Sequence, residues 1–175
     1  MVVHKDTFCK TIYFHDSMAS FIIPAPKEFS FQQCLHFLRR SPDELLHTCD
    51  NCGVEKVISV NGKAVLFSVR IDEKQQLSVS VLNHTASASI KQSIISYIET
   101  WFDLKTDLVP FYKMASKDPV LKPLVKKYFG YRVVSMPDLF ESLSWAIIGQ
   151  QINLRFAYSL KQRFVQQFGE RLNWK

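Results

Sequence analysis

Few residues in this sequence have the type and spacing to do chemistry. Cys49 and Cys52 stand as Cys49-Asp50-Asn51-Cys52 with His47 just upstream, the spacing of half a structural zinc site. Such a site takes four ligands, usually as two separated pairs, to close the tetrahedron around the ion. Only Cys34 and His36 are near enough to complete it, and they do not form a second pair. The two thiols therefore read as part of a turn ending at Gly53, and neither a metal nor a cofactor is expected. In the second half the carboxylates are Asp138, Glu141 and Glu170. The first two have the spacing of a helix N-terminal capping arrangement, and Glu170 reads as a solvated group at a helix end. There is no P-loop, no Gly-x-Ser-x-Gly elbow and no Cys/His pairing suited to a nucleophile. A pair of amides, Gln150-Gln151, falls between two apolar helical stretches; on composition alone it is a polar turn.

These residues sit in a chain of 175, enough for one ordinary domain or a small domain and part of another. Hydrophobic residues make up 47% and charged residues 22%, the proportions of a folded globular protein, and 14 phenylalanines supply core volume. The net charge of +6 and pI near 9.2 favour polyanionic partners, nucleic acid above all, through phosphate neutralisation. The polar start MVVHKDTFCK leads into no long apolar stretch, and runs such as Phe21 to Ile23 or Ala146 to Ile148 are too short to span a bilayer. The expectation is a cytoplasmic protein with reduced thiols and no membrane partner.

The elements that must position these residues follow from pattern. Lys10 to Ile23 holds two apolar runs around Asp16-Ser17, two short strands or one bent one, stopped by Pro24 and Pro26. Ser30 is suited to cap a helix whose Phe31, Leu35 and Leu38 share a face, ending near Arg40. VEKVISV, Asn61-Gly62 and KAVLFSVRI predict a hairpin with a type I′ turn, because Asn-Gly tolerates two positive φ angles. LSVSVL adds a third strand to this antiparallel meander. Ile90, Ile94, Ile95, Ile98 and Trp101 then give a helix over 88–102 with one apolar face for the sheet. The result is an α+β domain over residues 1–106 with its helices on one face.

Residues 107–175 read as helical: short pieces at 110–115 and 120–129, then amphipathic helices at 138–149 and 153–168, the last closed by Gly169 as a C-cap. Two helices and fragments make a poor core of their own, so this second domain reads as unfinished. Lys122, Lys126 and Lys127 read as a solvated helix face.

Residues Pro137 to Ile152, with Phe140-Glu141-x-Leu143 and Gly149-Gln150-Gln151, resemble the opening of the helix-hairpin-helix DNA glycosylase domain. The next helix, with Asn153, Leu154 and Ala157, and the later Phe168-Gly169-Glu170-Arg171-Leu172 are similar to the same superfamily. Gly130-Tyr131-Arg132 resembles the Gly-x-Arg that precedes this helix in the 3-methyladenine DNA glycosylase II branch. Upstream, Phe31, Leu35, Phe37 and Leu38 are similar to the first helix of the branch's N-terminal domain, itself similar to half of a TATA-binding protein. The resemblance covers nearly the whole chain apart from the first ten residues.

It implies an α+β domain followed by the first helices of an all-α glycosylase domain, double-stranded DNA with alkylated bases as partner, and base flipping before hydrolysis of the N-glycosidic bond. It implies that Gln151, with Gln150 beside it, enters the duplex where relatives often have an apolar wedge. It implies that Phe37 forms one wall of an aromatic base pocket suited to cationic purines; the residue pattern equally allows a core position for Phe37. The family's Gly-rich hairpin and catalytic aspartate are absent from these 175 residues, so the chain is expected to be inactive alone. A non-catalytic DNA-binding or protein-interaction module is the alternative, and oligomeric state is open.

Overall fold

The computed structural model describes residues 20–172. Cys9 and the first apolar run after Lys10 therefore lie outside the described residues. The second run is strand β1, Ser20–Ile23, and helix α1, Phe31–Leu38, follows the two prolines. The Ser30 side chain accepts the Gln33 amide, and Phe31, Leu35 and Leu38 are buried, as their spacing requires.

Then come β2 (His47–Cys49), β3 (Gly53–Val60), β4 (Lys63–Ile71), β5 (Leu77–Val81) and α2 (Ala88–Trp101). The sheet order is β1-β5-β4-β3-β2 with every pairing antiparallel. Asn61 and Gly62 have φ of 52° and 75°, the two left-handed residues that a type I′ turn demands. The short strand β2 was not expected. The thiols flank the turn between β2 and β3, where the Asp50 side chain accepts the amides of Cys52 and Gly53, both at 2.7 Å. Among the described residues no group of three or more His, Cys, Asp or Glu side chains could hold a metal ion.

Cross-strand register sets which side chains meet the helices. Val54 lies opposite Val69, Lys56 opposite Phe67 and Ile58 opposite Val65, so these six share one face. Against that face pack α1 and α2, with Leu35, Ile94, Ile98 and Phe102 fully buried and Trp101 stacked on Phe102 at 4.6 Å. Lys56 thus points to the apolar side of the sheet, an outlier that the functional site explains.

The rest is helical: α3 (Val109–Ala115), α4 (Leu121–Lys127), α5 (Leu139–Ile148) and α6 (Leu154–Phe168). Between α4 and α5 the chain returns to the first unit. Gly130 O accepts the Ser30 amide at 2.7 Å, Val134 packs on the core, and Ser135 bonds the carbonyls of Trp101 and Thr100. Arg132, only 3% exposed, donates to the carbonyls of Glu28, Asp103 and Thr106. Gly169 does cap α6, but in an extended rather than a left-handed conformation, φ −83° and ψ 151°.

Gly130 tests this return path. Its φ is 78°, and a Cβ there would stand 2.7 Å from the backbone of Phe29 and Ser30. Gly130→Ala is expected to cost about 2–3 kcal/mol in urea unfolding. Gly62→Ala, at φ 75° with open space around it, should cost only about 1 kcal/mol. Equal losses would contradict the crowding at Gly130.

Candidate nucleic-acid interface

The helical hairpin α5–α6 carries the polar turn. Asp138 caps α5 by accepting the Glu141 amide at 2.7 Å, and Asn153 caps α6 by accepting the Phe156 amide at 2.9 Å. Between them Gln150 and Gln151 are exposed, and Gln151 holds a left-handed φ of 54°. A non-glycine residue in that region carries strain and is a site to examine for function. Gly149 ends α5 and the Asn153 cap begins α6, so the turn lies between the two helices.

The Glu141 side chain, by contrast, takes no part in capping. It binds Lys56 Nζ at 2.9 Å and Lys161 Nζ at 3.4 Å, and Lys161 also binds Glu44 at 2.8 Å. Lys56 comes from β3, Glu44 from the loop before β2, Glu141 from α5 and Lys161 from α6. Their side chains are between 7% and 13% exposed. The resulting row, Lys56–Glu141–Lys161–Glu44, alternates in sign and is neutral overall, which is what permits four charges to sit away from water. It joins both helices of the hairpin to the first unit. Lys161 also lies 5.4 Å from the Trp145 ring. A groove of about 1270 Å³ runs beside the row, lined by His47, Ile58, Tyr97, Phe140 and Phe164 among others.

A second link lies at the end of α1. Arg40 Nε donates to the Tyr158 hydroxyl on α6 at 2.7 Å, and its guanidinium covers the Phe37 ring at 3.9 Å. Phe37 is half-buried and takes no part in the core cluster, so it does not fill the core position that its spacing allowed. Tyr158 in turn packs on Trp145 at 4.8 Å between ring centres. The structure therefore brings Phe37 to α6 through Arg40 and Tyr158, and sets Gln150 and Gln151 in the turn that leads into α6. Glu170 and the lysines 122, 126 and 127 are exposed.

Sequence reasoning missed Glu44, Lys56, Lys161, Arg40 and Tyr158. Lys56 gave one signal, a charge at an inward position of an alternating strand. On α6 the residues turned inward are Ala157, Tyr158 and Lys161, not the apolar stripe, and Leu154, Phe164 and Phe168 remain 55%, 36% and 67% exposed. On α5 no residue is buried, and Leu139, Phe140, Leu143 and Ile147 are each more than half exposed.

The architecture is a helical hairpin with an exposed turn, mounted on an antiparallel α+β domain. The sequence profile described as "8-oxoguanine DNA glycosylase, N-terminal domain" matches residues 25–143. The chain belongs to that family. It is 40% identical over 162 residues to the DNA-3-methyladenine glycosylase of Bacillus subtilis (strain 168), across 91% of this chain and 54% of that protein. Among solved structures it is similar to the 3-methyladenine DNA-glycosylase of Archaeoglobus fulgidus, with a TM-score of 0.73, 19% identity, and coverage of 88% of this chain and 52% of the other. The 8-oxoguanine glycosylase/lyase of Clostridium acetobutylicum aligns with a TM-score of 0.59 and 19% identity, over 89% of this chain and 49% of the other. The likeness in fold confirms the α+β architecture expected from the sequence. The chain spans about half the length of the relatives it matches.

Two ionisable groups near the row make its stability depend on pH. Burial opposes ionisation of Glu44, but the Lys161 charge and hydrogen bond, the Leu46 amide and His47 outweigh it and hold the carboxyl below its usual 4.5. Burial also pushes His47 below 6.5, against the Glu44 charge and its bond to the Leu38 carbonyl, with Lys56 and Lys161 acting in the same direction as burial. Both groups bind fewer protons folded than unfolded, so acid destabilises the fold. Stability should fall first as pH drops below about 6.5, from His47, and again below about 4.5, from Glu44. His47→Gln should remove the upper phase from a plot of Tm against pH, and its survival would contradict the assignment.

Glu141→Gln leaves Lys56 facing a neutral amide in a buried place. The expected loss is about 3 kcal/mol in urea unfolding. A loss under about 0.5 kcal/mol would place the row among solvated surface pairs.

Proposed function

We propose that this chain is the DNA-engaging front part of a base-excision DNA glycosylase acting on alkylated purines such as 3-methyladenine. Residues 1–106 form the α+β domain, and residues 107–175 begin the helical glycosylase domain. The observation that carries the reading is the exposed α5–α6 turn, bounded by Gly149 and the Asn153 cap, with Gln151 in a left-handed conformation, in a chain of a glycosylase family. A turn of this kind suits a residue that must enter a duplex when a nucleotide is flipped out of the stack. Gln151 fills the vacated space and offers its amide to the orphaned base, with Gln150 beside it at the minor groove. Phe37 forms part of the wall against which an alkylated purine stacks. The protein works in the cytoplasm, on double-stranded DNA, and needs no metal for chemistry carried by a carboxylate.

The bare apolar faces of α5 and α6 are the seat of the remaining helices of a full-length glycosylase. In that arrangement the catalytic carboxylate comes from the other half; near the turn Asp138 caps a helix, Glu141 holds lysines and Glu170 is exposed past the end of α6.

The 175-residue chain is expected to bind duplex DNA weakly and with strong salt dependence, and to release no base from methylated DNA. Joining it to the portion of the Bacillus relative beyond the matched region should restore release of methylated purine. In that longer protein Gln151→Ala should lower release by about tenfold, the effect of losing one positioned contact. A folded, DNA-binding fusion that released nothing would overturn the assignment of activity. Release by the short chain would show that one of its own carboxylates is catalytic.

A further inference from the structure

Arg40 occupies an unusual place for an arginine. Its guanidinium carbon lies 3.9 Å from the centre of the Phe37 ring and 5.8 Å from that of Tyr158. Its Nε donates to the Tyr158 hydroxyl at 2.7 Å. Among the ion pairs of the described residues none includes Arg40, whereas its neighbour Arg39 bonds the Asn51 side chain. The partners of Arg40 are thus two rings and one hydroxyl, from α1 on one side and α6 on the other.

A guanidinium is planar, delocalised and weakly hydrated, and it stacks on the negative face of an aromatic ring. An N-methylated purine is also a planar, delocalised cation, with a larger face. The two compete for the same surface. We propose that Arg40 is the resident occupant of a cation slot between Phe37 and Tyr158, and that an alkylated purine enters by displacing it. The inference rests on the glycosylase reading above, and it adds to that reading a residue that sets how strongly a base must stack to enter. A neutral purine would have to give up the stacking of Arg40 on Phe37 and the bond to Tyr158 without supplying a charge in return. A cationic purine restores the cation–π contact with more area. The displaced guanidinium, on the exposed end of α1, is then free to meet the phosphate of the flipped nucleotide.

The test uses the 175-residue chain and two nucleosides without phosphate: 1-methyladenosine, a cation at neutral pH, and adenosine, its neutral counterpart. Binding is followed by NMR titration of the base protons. Arg40→Ala should bind 1-methyladenosine about tenfold more tightly than the parent chain, the scale of one partly desolvated cation–π contact. It should also tighten adenosine by a similar factor, because both purines must displace the same guanidinium. Adding Phe37→Leu should abolish the gain. Tyr158→Phe keeps the ring and removes the hydroxyl that tethers Arg40, so it should tighten binding about threefold, and it carries the test where Arg40→Ala loses its fold. If opening the slot leaves affinity unchanged or weaker while Phe37→Leu still weakens it, Arg40 is not the occupant, and Phe37 remains as a wall. If no variant binds the cation, or if Phe37→Leu has no effect, both the occupant and the wall are overturned.

Discussion

The arrangement of this molecule depends on four charges held almost out of water. Lys56, Glu141, Lys161 and Glu44 come from four separate segments. Removing any one leaves an uncompensated charge in a place that cannot solvate it, so each residue fixes the position of the others. A row of this kind adds little net stability compared with an apolar contact of the same size, but it is far less tolerant of displacement. Apolar faces can slide, whereas a lysine that must sit 2.9 Å from one carboxylate oxygen cannot. The hairpin α5–α6 makes little apolar contact with the first unit, and its own apolar faces look outward. Charge pairing, with Arg40 and Tyr158 as a second tie, is therefore what orients the turn carrying Gln151.

The chain's route reinforces this. After α3 and α4 it comes back at Gly130, whose backbone lies against Phe29 and Ser30, and Arg132 draws together the carbonyls at 28, 103 and 106. The start of α5 is thus set by the first unit before the ion row takes hold. The α+β domain acts as a mount, and the hairpin is the tool fixed to it.

Most of the mount was legible in the sequence, because its signals are local. Asn61-Gly62 fixes a turn by backbone sterics, the alternation of β3 to β5 fixes their faces, and Ser30 fixes the start of α1. Strand β2 was not legible: three residues, His47 to Cys49, are too few to show alternation, and pairing with β3 makes them a strand. The site was legible only where a motif marks it. The turn at Gln150 and Gln151 stands out beside its motif, while the ion row joins residues as far apart as Glu44 and Lys161, a proximity no local pattern encodes. Glu141 had a sufficient local explanation as a capping residue, and that concealed its role. The amphipathic pattern of α6 was legible, but its inward face was not. Periodicity finds the apolar stripe but does not tell which surface it meets, and here the inward face is Ala157, Tyr158 and Lys161.

The central claim is that the α5–α6 hairpin is held by the first unit as one cooperative body, so that its turn is held in a fixed place. Native-state amide hydrogen exchange tests it directly, because it reports the free energy of opening segment by segment. The account predicts that the amides in the middle of α6, from Tyr158 to Phe164, open with free energies close to those of β3 and β4, and that charge-neutralising Lys161 lowers α6 more than it lowers the sheet. An α6 that exchanges freely while the sheet stays protected would show that the hairpin is not held, and the account of how its turn is positioned would be wrong.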